Sequence, residues 1–288
     1  MYYFTNTLII EVMISIKNLN FNYGKNKVFS NLDLNIECGK IYGLLGENGV
    51  GKTTLLKLIS GLLPVKKGSC TVCEHIPYNR EVLFLESICY VPEEISCPSI
   101  SLIDYGRNRG EFYPAFNMDE YIGYLTQFEL QSDMNFQKIS YGQKKKAVIA
   151  FAFATNTKIL LMDKPSNGLD IPSKSQLRKI ISANASEERC IIISTHQVRD
   201  LENIIDPIII LDKDAVLLNA SVEEISRKLS FRFNDRESAD ALHNEQSIGG
   251  YISVEENITG SDDNVNIEAL FNATIKNRKR IQTIFNSK

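Results

Sequence analysis

The chain has no apolar run approaching the ~20 residues that a membrane-crossing helix needs. Its strongest runs, CIIIS at 190–194 and PIIIL at 207–211, have the length of buried strands. A membrane role would therefore require a separate partner chain. Positive charge is not in excess either. Lys and Arg number 32 against 35 Asp and Glu, a net charge of −3, so a broad nucleic-acid-binding surface is not indicated. The first residues, MYYFTNTLIIEV, lack the basic n-region and long apolar centre of a secretory signal. Residues 1–12 read as an extension or an upstream start, because Met13 opens a strand-like ISIKNLNFNYG. A second cysteine pair is missing too: Cys70-Thr71-Val72-Cys73 is a CxxC with no partner at zinc spacing. Structural cysteines in a reducing compartment are the simpler reading. There are no internal repeats and no long low-complexity tract.

What is present is an alternation. Strand-length apolar segments recur at 14–18, 41–45, 158–162, 190–194 and 207–211. Helical patterns lie between them, after Lys52 and around 174–182 and 197–204. This predicts an α/β fold with a mostly parallel core sheet. Residues 100–138 are rich in Tyr and Phe, carry Gly106, Gly110 and Pro114, and read as a small helical insertion. After about 229 the chain turns polar, with a strand expected at 250–254. A helical segment then follows, with Ile267, Leu270, Phe271, Ile275, Ile281 and Ile284 near helical spacing. Lys276, Arg278, Lys279 and Arg280 make one side of it basic. That side is either a solvated face or a surface for a partner or an anionic membrane.

Gly46-Glu47-Asn48-Gly49-Val50-Gly51-Lys52-Thr53 fits GxxxxGK[ST], between the strand-like IYGLL and the helical TLLKLISGLL. Glycines let backbone N–H groups curl around a phosphate, and the next helix directs its positive end at the same anion. Lys52 is placed to reach the β- and γ-phosphates, and the Thr53 hydroxyl to ligate Mg²⁺. Tyr23, upstream in FNYGK, is either a turn tyrosine or an aromatic that stacks on a nucleobase. Asp163 ends the apolar KILLM, where a carboxylate suits a magnesium ligand better than a buried strand. His196 closes CIIISTH at a strand's C-terminal edge, where open α/β sheets bind ligands.

In order along 13–228, these residues resemble the nucleotide-binding subunit of an ATP-binding cassette (ABC) transporter. Tyr23 matches the adenine-stacking aromatic, and 46–54, including Thr54, the Walker A loop. Tyr90-Val91-Pro92-Glu93-Glu94 falls at the Q-loop, and Ile139-Ser140-Tyr141-Gly142-Gln143 at the signature. Ile159 to Asp163 is then Walker B, Asn167-Gly168-Leu169-Asp170 the D-loop, and His196 the switch histidine. The resemblance implies a P-loop NTPase fold with an antiparallel β portion and a helical subdomain at about 95–150. It divides the chain into an extension 1–12, a nucleotide-binding domain 13–229 and a C-terminal accessory region 230–288. FYPAF and LTQFEL look most like exporter-type subunits. It further implies ATP and Mg²⁺ as cofactors, with Thr53, Asp163 and Glu93 at the metal. Two such subunits would close head to tail, so that Ser140, Tyr141, Gly142 and Gln143 serve the partner's ATP. A transmembrane permease on another chain would place the protein in the cytoplasm, peripheral to the membrane.

Three positions depart from the family's pattern. Tyr141 stands where the signature has glycine, and Glu93 where the Q-loop has a neutral glutamine. Lys164 replaces the glutamate that polarises the attacking water, and an ammonium cannot accept that proton. Losing general-base assistance costs ~10²–10⁴-fold in rate, so ATP binding with impaired hydrolysis is expected. A compensating Glu93–Lys164 pair, with Glu93 positioning the water, is the alternative. Two other functions compete with the transporter reading: a soluble ABC protein acting on ribosomes or nucleic acid, and a non-hydrolysing subunit of an asymmetric dimer.

Overall fold

The computed structural model describes residues 12–213, 215–258, 260 and 263–286. Of the extension expected at 1–12, only Val12 is among them. The chain opens as an antiparallel pair, β1 (Val12–Tyr23) and β2 (Asn26–Glu37), and β3 (Ile41–Leu45) then runs into the glycine loop. Next come α1 (Lys52–Ile59), β4 (Lys67–Val72), α2 (Val82–Ser87) and β5 (Ile88–Val91). The insertion supplies α3 (Leu102–Gly110) and α4 (Met118–Gln127), and α5 (Tyr141–Ala154) returns the chain to the sheet. Then follow β6 (Ile159–Asp163), α6 (Ile171–Ala183), β7 (Cys190–Thr195), β8 (Ile208–Asp212) and β9 (Ala215–Ala220). The chain closes with α7 (Val222–Lys228), β10 (Leu229–Asn234), β11 (His243–Ser247), β12 (Gly250–Glu256), α8 (Ile267–Lys276) and α9 (Arg278–Asn286).

The central sheet has the order β5-β6-β7-β3-β8-β9, parallel except for the terminal β8–β9 pair. Strands buried on both faces read as continuous apolar runs, which is why β6, β7 and β8 stood out in the sequence. Their alternate residues feed two cores. Leu161, Ile192 and Ile209 pack toward α1 and the antiparallel sheet β2-β1-β4. Leu160, Met162, Ile191, Ile193 and Ile210 pack toward α5 and α6.

The helical insertion has an aromatic core. Tyr105 meets Phe136 edge-on at 4.7 Å and Phe151 at 5.2 Å, and the buried Tyr121 hydroxyl donates to the Leu102 carbonyl at 3.1 Å. Gly106 is required for that packing, since a Cβ there would come within 2.4 Å of the Tyr121 ring. Ser101, Asn117 and Ser140 cap the three helices with side-chain oxygens.

The helix expected at 197–204 shrinks to a short 3-10 turn at Val198–Asp200. Its ends are held elsewhere: Gln197 N donates to Thr195 Oγ1 at 2.9 Å, and Asp206 N to the Ile41 carbonyl at 2.8 Å. Between those anchors the chain forms successive turns in place of a continuous α-helix. None of the six cysteines forms a disulfide, and burial pushes the Cys70 thiol up to about 12.

Beyond Lys228 an antiparallel sheet, β10-β12-β11, precedes α8 and α9. Val254, Ile267, Ala269, Leu270, Ala273 and Ile281 join the same hydrophobic core as Leu201, Ile205 and Ile210. The basic side of the last helices is largely engaged at home. Arg278 pairs with the buried Asp212, and Arg280 with Glu256 at 2.5 Å. Lys276 Nζ lies 3.4 Å from His243 Nδ1. These pairings favour a face closed by the chain itself over one kept open for an anionic surface. The shared core carries a prediction. Leu270→Ala should lower the stability of the whole cassette by about 2–5 kcal/mol. It is read as a shift of the single denaturation midpoint, and an unshifted midpoint would show that α8 lies outside the cooperative unit.

Candidate nucleotide-binding site

β3 delivers the chain to the glycine loop, and the loop closes where α1 begins. Gly51 caps α1 at φ +109°, and a Cβ there would strike the Phe29 ring at 2.8 Å. Gly49, at φ +85°, has open space on its Cβ side. Both therefore hold backbone conformations that side chains rarely adopt. Lys52 is buried, and its Nζ donates to the carbonyls of Gly46 at 2.6 Å and Glu47 at 2.8 Å. Burial first, and the Lys164 charge second, bring its pKa down to about 8, against the pull of Asp163, Glu93 and Glu47.

Asp163 is fully buried at the tip of β6. Thr53 Oγ1 donates to its Oδ2 at 2.6 Å and Ser194 Oγ to its Oδ1 at 2.5 Å. A hydroxyl and a carboxylate side by side form a hard-oxygen donor set of the kind Mg²⁺ prefers. The buried Lys52 ammonium hydrogen-bonds only neutral carbonyls, so a polyanion is the counter-charge that suits it. The residues present thus fit a magnesium–nucleotide ligand. Tyr23 stands half exposed at the end of β1, edge-on to Phe21 at 5.0 Å, with its hydroxyl 3.5 Å from Thr54 Oγ1. One pocket is lined by Tyr23, Asn48, Gly49, Lys52, Thr53 and Lys164.

Glu93 is the meeting point of the other motifs. Its Oε2 accepts from Lys164 Nζ at 2.8 Å and its Oε1 from Asn167 Nδ2 at 3.2 Å. Its backbone carbonyl accepts from Tyr141 Oη at 2.7 Å and Lys145 Nζ at 3.1 Å. Partial burial opposes ionisation of the carboxyl. The Lys164 hydrogen bond and charge outweigh it, with help from Asn167 and Lys145, and the pKa falls below its ordinary value. Lys164 itself sits at φ +47°, its N–H bonded to both the carbonyl and the hydroxyl of Ser194 at 3.1 Å.

The structure does not bring every expected residue to the glycine loop. His196 is exposed and lines a neighbouring cleft with Gln197, Asp200, Glu268, Phe271 and Asn272. Ser140 and Gln143 form a reciprocal capping box at the start of α5, with bonds of 3.3 and 2.9 Å. Gly142 lies against the Gly168 carbonyl, and Asp170 caps α6 by accepting from Ser173 N at 2.9 Å.

Sequence reasoning missed Ser194 and Lys145. Ser194 had a signal: it ends an apolar strand, and the parallel register places it beside Asp163. Lys145 was masked by its neighbours in a run of three lysines, yet it lies one helical turn from Tyr141 and is wholly buried.

Comparison with known proteins agrees with this geometry. The ABC transporter family profile matches residues 29–167. The lantibiotic transport ATP-binding protein SrtF of Streptococcus pyogenes is 29% identical over 232 residues, covering 78% of this chain and 97% of its own. The high-affinity zinc uptake ATP-binding protein ZnuC of Bacillus subtilis is 26% identical, covering 70% of this chain and 91% of its own. Among solved structures, an ATP-binding subunit of an ABC transporter superposes with a TM-score of 0.68 at 23% identity, over 75% of this chain and 92% of that one. By profile, by the relatives' near-complete alignment and by fold, this chain is similar to the ATP-binding proteins of ABC transporters.

Proposed function

We propose that this chain is the ATP-binding subunit driving a permease carried on a separate polypeptide, and that it binds Mg-ATP but turns it over slowly. The observation that carries the second half is the 2.8 Å pairing of Lys164 with Glu93 beside the hydroxyl–carboxylate pair. In the binding step, the glycine-loop N–H groups and Lys52 would hold the phosphates, and Tyr23 would cover the base. Thr53 and Asp163 would hold Mg²⁺, which supplies charge neutralisation at the phosphates. The family's proton-accepting carboxylate is replaced at position 164 by an ammonium, and the nearby Glu93 carboxylate is engaged twice over. Position 164 therefore offers no group that can draw a proton from water. The signature turn, exposed at Ser140 and Tyr141 and absent from the lining of the chain's own pocket, suits service to a second subunit. The same features fit an asymmetric dimer in which this signature completes a competent site on a different subunit.

Two features support a separate membrane partner. Among the described residues no helix is long and apolar enough to cross a membrane. A groove between the core and the helical insertion is bordered by exposed Leu62, Val82 and Phe112 and lined by Leu85, Tyr113 and Phe151. Apolar side chains gathered at such a groove mark an interaction surface. β5 runs from the groove toward Glu93, which gives a partner seated there a short route to the nucleotide pocket.

Turnover should fall well below the ~1 s⁻¹ per site of an ordinary enzyme, measured as phosphate release; a rate at or above it would refute impaired hydrolysis. Lys164→Glu alone sets a second carboxylate against Glu93, so its gain should be small. The double variant Glu93→Gln/Lys164→Glu removes that repulsion and should raise turnover by ~10²-fold or more. Val82→Asp with Phe112→Asp should abolish co-purification with a multi-span membrane protein while nucleotide affinity stays unchanged. Retained co-purification would place the partner elsewhere.

A further inference from the structure

We propose that Lys164 is a ligand for the terminal phosphate of a nucleoside triphosphate, and that Glu93 sets triphosphate affinity by competing for the same ammonium. This rests on the nucleotide-binding reading above and concerns a role outside the hydrolytic one.

Lys164 shares a pocket lining with Gly49, Lys52 and Thr53. Its N–H is shared between the carbonyl and hydroxyl of Ser194 just past the buried Asp163, which fixes where the side chain starts. The stem beyond it is four flexible carbons ending in three donors. The ion pair with Glu93 is partly solvated, with side-chain exposures of 19% and 34%, and such a pair is weak enough to exchange. A terminal phosphate carries more charge and more acceptor oxygens than one carboxylate, so it competes well for a single ammonium. Glu93 is not stranded by the exchange, because Asn167 still donates to its other oxygen at 3.2 Å. The two cations also weigh on each other: after burial, the Lys164 charge is the largest influence lowering the Lys52 pKa. A polyanion bound between them relieves that repulsion. A diphosphate ends one group short, so the contact discriminates triphosphate from diphosphate.

The test is equilibrium binding of Mg-ATP and Mg-ADP to the full chain as wild type, Glu93→Gln, Lys164→Gln and the double variant. Thermal melts verify that each is folded. Glu93→Gln should tighten ATP binding roughly 3- to 10-fold, the scale of one charge-assisted contact, and leave ADP unchanged. The double variant should lose that gain. An ATP-to-ADP ratio unmoved by Glu93→Gln, or a double variant that binds ATP as Glu93→Gln does, would make Lys164 a structural counter-ion and overturn the proposal. Should Glu93→Gln fail to fold, Lys164→Gln decides: weakening of ATP beyond ADP supports the contact, and equal weakening overturns it. A wild type that binds neither nucleotide overturns the underlying nucleotide-binding reading instead.

Discussion

Asp163 accepts a hydroxyl on each oxygen, one from the helix after the glycine loop and one from β7. A buried carboxylate with no partner would cost several kcal/mol, so these two donors are what permit it at the strand tip. In meeting that requirement they tie the glycine loop, β6 and β7 together at one point. The loop's shape, the place of Lys164 one residue on and the magnesium-type donor set all follow from this junction. Its polarity matters as much as its geometry, because Lys52 is buried nearby with carbonyls alone for hydrogen-bond partners.

Around that junction the charge pattern is reversed relative to the family. In the proposed assignment a cation stands where the water-activating carboxylate belongs, and a carboxylate where a neutral amide belongs. Each change alone would leave an uncompensated charge beside the glycine loop. Together they neutralise each other across 2.8 Å. The pair also has mechanical reach: the Glu93 carbonyl carries Tyr141 and Lys145, so the residue that holds Lys164 also anchors the start of α5. One residue thereby connects the chain's own pocket to the signature turn, which faces a second subunit in the proposed assembly. The tyrosine at the signature's usual glycine position makes this connection, and glycine could not.

The C-terminal residues belong to the same economy of packing. Their apolar side chains enter the core around β8, and α8 borders the cleft that His196 lines. The Arg199–Glu268 pair at 2.7 Å spans the same boundary, though its solvent exposure makes it a weak tie. The buried Asp212 with Arg278 is the stronger link between the sheet and α9.

The α/β alternation, the glycine loop and the aromatic insertion were legible from the residues, because each rests on local chemistry. Continuous apolar runs announce buried parallel strands, and GxxxxGK[ST] needs only its own neighbours to form a phosphate cradle. β11, His-Asn-Glu-Gln-Ser, has no apolar alternation and could not be foreseen; it is a strand because β12 offers it an edge. The helix expected at 197–204 was lost where a turn bond from Gln197 to Thr195 at one end and a long-range bond from Asp206 to Ile41 at the other fix the segment. Lys164 stood out only against the family's pattern, and its pairing with Glu93, 71 residues away, was one of two readings that the residues left open. Which charges meet is decided by strand order, which brings β5 beside β6. The residues determined the glycine loop and the buried strands, and the tertiary structure decided between the open readings of Lys164 by bringing Glu93 to it.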